Sequence, residues 1–121
     1  FNWSASLQYA RKYKVFQKKT PTEYGLYGFK TGTGDCYVMA ATFYWMAKVA
    51  GYDAHYVKGY FQKSGGKKGA HAWVEIDQKV NGKKKTYVYD PNFQKEYKLN
   101  GYKLTYGAKR TLKYVNYKRV N

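Results

Sequence analysis

Three side chains in this sequence could together make an activated nucleophile: Cys36, which is the only cysteine, His71 and Asp90. Cys36 follows Gly34-Asp35 and opens the run Tyr37 to Ala50, in which only Thr42 and Lys48 are plainly polar. Such a run predicts a helix that is apolar almost all round, and so buried. Asp35 is a good N-cap, Gly34 lets the chain turn sharply before it, and Gly51 is a good stop. Cys36 then falls on the first helical turn. There the unpaired N–H groups and the positive end of the helix dipole favour a thiolate over a thiol. A lone cysteine is more often a small buried hydrophobe, so its surroundings decide.

The surroundings can be counted out. Asn81-Gly82 between two alternating segments is the strongest short hairpin signal there is. If it forms a two-residue loop, Val80 pairs with Lys83, and Trp73 comes opposite Asp90. His71 then lies on the same face, diagonal to Asp90, at a backbone separation of roughly 7–8 Å that both side chains can bridge. A slip of one residue would put the two on opposite faces. A carboxylate beside an imidazole fixes its tautomer and stabilises its protonated form. An imidazole beside a thiol at a helix start makes a thiolate–imidazolium pair. His71 alone reads as a structural histidine and Asp90 alone as a turn residue before Pro91. All three features together are a rarer coincidence.

The elements that must position these groups follow from the hydrophobic pattern. Trp3, Leu7, Ala10, Tyr13 and Phe16 recur at helical steps among lysines and arginine, which predicts an amphipathic helix over residues 1–19. Residues 20–34 read as a glycine-broken loop, with a capping box at Thr20-Pro21-Thr22-Glu23 that could start one helical turn. After the central helix, Ala54–Phe61 reads as a strand, 62–69 as a flexible basic connection, and Ala70–Val80 and Lys83–Asp90 as a hairpin. Asp90-Pro91-Asn92 ends that hairpin, and Tyr102–Tyr106 and Thr111–Val120 are two further candidate strands. A buried helix followed directly by a sheet must pack on it, since each has an apolar face to cover. The class is therefore α+β, one domain over 1–121, large enough for a core without disulfides or metals.

Taken as a set, Gly34-Asp35-Cys36 opening an alanine-rich helix, the segment Ala50-Gly51-Tyr52-Asp53-Ala54 after it, His71-Ala72-Trp73-Val74-Glu75 and Tyr89-Asp90-Pro91 resemble the transglutaminase-like superfamily. The resemblance runs from about Gly34 to Asn92. It implies a papain-like core in which the nucleophile-bearing helix packs on an antiparallel sheet. It also implies Cys36 as nucleophile, His71 as general base and acid, and Asp90 as its orienting partner. The implied chemistry is thiol-dependent acyl transfer through a thioester, as in a transglutaminase, deamidase or cysteine protease. The implied partners are a protein or peptide acyl donor (a glutamine or a peptide bond) and, for a transglutaminase, a lysine amine acceptor. Two points depart from the pattern. The segment before Cys36 is short for the family, and the glutamine that papain-type enzymes carry shortly before the cysteine is absent, with Lys30 six residues upstream. The backbone N–H of Cys36 offers one oxyanion donor. Tyr24, Tyr27 and Gln17 are the open candidates for a second. His55, without a following carboxylate motif, reads as structural, and Trp73 either walls the cleft or packs.

The net charge is +16, from 23 Lys+Arg against 7 Asp+Glu, and 16 tyrosines accompany it. Such a field draws polyanions. Only Arg11, Arg110 and Arg119 are arginines, the lysines are scattered, and no nucleic-acid recognition motif is present, which argues against specific nucleic-acid readout. No run is long and apolar enough to span a bilayer. Two histidines and one cysteine are too scattered for a convincing metal site, and no acidic loop suits calcium, so no cofactor is called for. A lysine- and tyrosine-rich, cysteine-poor basic domain fits an extracellular or surface location in a Gram-positive bacterium, excised from a longer secreted protein and held at an anionic wall polymer. The rival reading is a non-catalytic module that binds anionic cell-wall polymer or nucleic acid through its lysines and tyrosines.

Overall fold

The computed structural model describes residues 1–6, 8–9, 20–62 and 66–121. In chain order the elements are α1 (Asn2–Ala5), β1 (Gln8–Tyr9), α2 (Pro21–Thr31), β2 (Thr33–Gly34), α3 (Cys36–Val49), β3 (Asp53–Gln62), β4 (Lys68–Val80), β5 (Lys83–Tyr89), α4 (Pro91–Tyr97) and β6 (Lys113–Arg119). Four strands form an antiparallel sheet in the order β5-β4-β3-β6, and β1 pairs with β2 in a short parallel ladder. The architecture is α+β, with the central helix on an antiparallel sheet.

The hairpin forms as counted. Val80 pairs with Lys83, and both turn residues are left-handed, Asn81 at φ 52° and Gly82 at φ 79°, the pairing of signs that matches the twist of the flanking strands. Strand β4 is buried on both faces. Ala72, Val74 and Ile76 join Ala54, Tyr56 and Tyr89 in one core cluster with Val38, Met39, Ala41 and Phe43 of α3. Trp73 lies on the other face, clustered with Val57, Val88, Phe93 and Leu104. This explains why α3 reads as apolar all round. Its Tyr44 lies against the sheet residue Tyr56 (ring centroids 6.0 Å) and its Trp45 against α2, donating its indole N–H to the Pro21 carbonyl at 3.1 Å. The buried Thr42 hydroxyl is satisfied by Met39 O at 2.9 Å and by Ser4 Oγ at 2.8 Å.

Several expectations are corrected. Among the described residues, the helix expected over 1–19 appears only as the turn Asn2–Ala5. The chain is extended at Gln8–Tyr9, where it pairs with Thr33–Gly34, and residue 7 and residues 10–19 lie outside the described residues. The segment read as a loop is the three-turn helix α2. The Thr20–Glu23 capping box starts it, and it stops at Gly32 in the left-handed conformation (φ 67°). Gly25 does not break it because the position is a helix-helix contact: a Cβ there would lie 2.7 Å from Trp45 Cδ1. Asp90-Pro91 starts the helix α4 as well as ending β5, with Asp90 as N-cap and Pro91 in the first turn, a start signal in its own right. Of the expected strand 102–106 only a single bridge between Leu104 and Val88 exists. Residues 63–65 of the basic connection lie outside the described residues. No helix among the described residues is long and apolar enough to cross a membrane.

Gly34 is required by close approach. A Cβ there would sit 2.3 Å from Val38 Cβ in the first turn of α3. Gly34→Ala is expected to cost about 1–3 kcal/mol through forced displacement of that turn, read as a lowered urea midpoint; an unchanged midpoint would mean that the turn relaxes freely.

Candidate functional site

Cys36 is the first residue of α3, half-buried, with Asp35 as the cap. The Asp35 carboxylate accepts the N–H groups of Tyr37 at 3.0 Å and Val38 at 3.2 Å. Burial pushes the Asp35 carboxyl above the usual range, although those backbone N–H groups and the charge of His71 pull the other way. The cap holds the first turn, and so the thiol, in one orientation. The short chain before Cys36 supplies the cap and the α2 packing as well.

His71 lies on β4, 2 % exposed, and Asp90 is fully buried at the end of β5. Val74 pairs with Tyr89, so one step further on His71 and Asp90 come together as the hairpin count expects. The imidazole Nε2 donates to Asp90 Oδ2 at 2.7 Å. The thiol of Cys36 is within hydrogen-bonding reach of the same imidazole, and since Nε2 is committed to Asp90, Nδ1 is the nitrogen left for it. Burial alone would lower the pKa of His71. The charges of Asp90 and Cys36, with their hydrogen bonds, outweigh that and hold it well above the ordinary histidine value. The three residues singled out in the sequence are thus contiguous: carboxylate, imidazole, thiol. Chemically, such a chain can move a proton between sulfur and Nδ1 while Asp90 keeps the ring oriented and its positive form stabilised.

Sequence reasoning missed what holds Asp90. Tyr114 on β6 donates its hydroxyl to Asp90 Oδ2 at 2.6 Å, the Phe93 N–H at the start of α4 donates to Oδ1 at 3.1 Å, and the backbone N–H of Asp90 donates to Gly101 O at 2.8 Å. Gly101 can approach this closely only without a side chain, for a Cβ there would lie 2.3 Å from Asp90 O. The Asp-Pro helix start could have pointed to Phe93. Nothing local marks Tyr114 among sixteen tyrosines, since β6 reaches the site by pairing with β3. The imidazole is also boxed by rings: Phe61 edge-on at 5.4 Å, Trp73 at 5.8 Å and Tyr114 stacked at 6.4 Å.

The remaining candidates resolve as follows. Trp73 is fully buried and packs, donating its indole N–H to Tyr106 Oη at 2.9 Å, with Tyr106 in turn bonded to Glu75. Tyr24 is buried and stacked on Tyr37 at 5.5 Å, Tyr27 packs against the main core, and Gln17 lies outside the described residues. His55 is at the far end of β3, away from the thiol. A cleft of about 340 Å³ lined by Tyr37, Lys58, Tyr60, Ala70, Asn116 and Tyr117 adjoins the chain neighbours of both Cys36 and His71. A cavity of about 370 Å³ bounded by Phe1, Phe43, Tyr52 and Tyr102 contains none of the three residues.

Two measurements follow from this geometry. Folded His71 holds its proton more tightly than an unfolded imidazole at about 6.5, so protonation stabilises the fold fully below that pH, and the contribution is lost as pH rises through the elevated folded value. An NMR titration of the His71 ring should show a midpoint above 6.5 that falls in Asp90→Asn; an ordinary midpoint unaffected by the substitution would contradict the coupling. Tyr114→Phe removes a hydrogen bond to a buried carboxylate and should cost about 1.5–3 kcal/mol in denaturant unfolding, whereas a loss near zero would mean that Asp90 is satisfied without it.

The chain matches the family model of the transglutaminase-like superfamily over residues 2–102, a span that contains Cys36, His71 and Asp90 together with the helix and hairpin that carry them. No curated protein sequence matches it. By a match over most of its length, the chain belongs to the transglutaminase-like superfamily.

Proposed function

We propose that this domain catalyses thiol-dependent acyl transfer on a carboxamide or peptide bond, with Cys36 as nucleophile, His71 as general base and acid, and Asp90 as the orienting carboxylate. The observation that carries the reading is the buried imidazole held between Asp90 and Cys36. Membership of a family of largely cysteine-dependent enzymes supports it. The placement of the thiol at a capped helix start, against a strand bearing the imidazole, is also what a papain-like core would require.

In this reading the Cys36 thiol passes its proton to His71 Nδ1, and the thiolate attacks the carbonyl carbon. The negative oxygen that develops lies at the positive end of α3, within reach of the Cys36 N–H, which Asp35 does not use. The imidazolium gives its proton to the departing nitrogen, and ammonia or an amine leaves a thioester on Cys36. Water or a primary amine then attacks the thioester carbonyl, His71 takes up the proton released, and the thiol leaves as product forms. Water as acceptor makes the domain a protease, amidase or deamidase. A lysine amine makes it a transglutaminase. The cleft beside Tyr37 and Ala70 is where the acyl donor would lie. The net charge of +16 supports a role at an anionic wall polymer outside the cell.

The test is the rate of Cys36 alkylation by iodoacetamide against pH, in the native protein and in His71→Ala. Rapid alkylation at neutral pH that slows sharply in the variant is the expected result. Ammonia release from a glutamine peptide, or uptake of a fluorescent primary amine, should then disappear in Cys36→Ala. An ordinary thiol indifferent to His71 would sink the enzyme reading.

A further inference from the structure

At the end of β3 and β4 remote from His71, three side chains of one sheet face meet. Asp53 pairs with Asp77 across the ladder, and His55 stands two residues along from Asp53. His55 Nε2 lies 3.0 Å from Asp53 Oδ1 and 3.5 Å from Asp77 Oδ2, and one ligand atom from each residue falls within 4.8 Å of the others. The other ring nitrogen, Nδ1, faces the backbone oxygen of Asn121 at 3.2 Å. A backbone oxygen only accepts, so Nδ1 carries a hydrogen, and in the neutral ring Nε2 turns its lone pair toward the two carboxylates. Both Nε2 and Asp77 Oδ2 are buried atoms without a hydrogen-bond partner, and the Asp77 side chain is 2 % exposed. Asp77 Oδ1, by contrast, is fully engaged by Thr86 at 2.6 Å and Arg119 at 2.7 Å. Lys84 Nζ lies 3.4 Å from Oδ2, on a side chain 67 % exposed.

We propose that Asp53, His55 and Asp77 form a binding site for a divalent transition-metal cation such as Zn²⁺. Bonds of about 2.0–2.2 Å to a tetrahedral ion set neighbouring ligand atoms about 3.3 Å apart, and the observed 3.0 and 3.5 Å bracket that separation. One imidazole with two carboxylates is a donor set suited to such ions. A ligating histidine ordinarily gives its other N–H to a carbonyl or carboxylate, as His55 gives Nδ1–H to Asn121. Asp53, 59 % exposed, leaves an entry path and a water position. Six residues along β4 separate Asp77 from His71, about 20 Å at strand rise, so the ion would fasten the start of β3 to β4 and to the chain at residue 121 and take no part at the thiol. The rival occupant is a proton, with a doubly protonated His55 bridging the two carboxylates.

Zn²⁺ titration by calorimetry, with thermal unfolding alongside, separates them. Cys36→Ala is the reference protein, because the thiol and His71 could themselves take Zn²⁺. In that background one equivalent should bind and raise Tm, reversibly with EDTA. His55→Ala, and independently Asp53→Asn at an exposed position that should not disturb folding, should each weaken binding by at least roughly tenfold. Absence of Zn²⁺ uptake in Cys36→Ala, or an affinity unaltered by Asp53→Asn, would overturn the site.

Discussion

Burying a carboxylate without water is costly unless its acceptor positions are met by well-placed donors, and Asp90 is fully buried. Its donors come from three elements far apart in sequence: the imidazole from β4, the tyrosine hydroxyl from β6 and a backbone N–H from α4. None of those elements can move without stranding a charge. The same residue ends β5, caps α4 and is clamped by Gly101, so the geometry of the hairpin end, the start of a helix and the last strand are all set by one side chain. The imidazole inherits its orientation from this arrangement, and the thiol meets an imidazole whose free nitrogen is already chosen.

The distribution of charge fits that picture. Of 7 acidic residues in a chain of net charge +16, Asp35 and Asp90 stand at the thiol end, and Asp53, Glu75 and Asp77 at the other. Arg119 spans Glu75 and Asp77 at 2.6 and 2.7 Å and holds Asp77 well below the usual carboxylate range. Acidity is thus spent at the two ends of β4, while the lysines of β5, Lys83 to Lys85, line an exposed sheet edge, where charge discourages pairing with another chain.

The local signals were legible in the sequence. Asp35 as cap, the run from Tyr37, and the Asn81-Gly82 turn each depend on residues within one or two turns of chain, and the hairpin count carried His71 to Asp90. What failed was non-local or ambiguous. Gly25 and Gly28 looked like breakers because the cost of glycine is visible in sequence, while the Trp45 indole that needs the space is not. Asp90-Pro91 carries both a strand-ending and a helix-starting meaning, and in the folded chain it serves both. Two histidines and one cysteine are too scattered in sequence to suggest a metal site, and the register that sets Asp53 against Asp77 follows only once β3 is paired to β4. The lysine-rich amphipathic pattern of the first nineteen residues belongs to a chain that is extended at Gln8–Tyr9.

Strand β6 has a different kind of consequence. The family match ends at residue 102, yet Tyr114 and Arg119, both more than ten residues beyond it, hold Asp90 and the Glu75–Asp77 pair. The span that the family model matches and the set of residues that hold Asp90 therefore have different edges. A chain cut at residue 102 would keep Cys36, His71 and Asp90 while losing the strand whose Tyr114 holds that carboxylate.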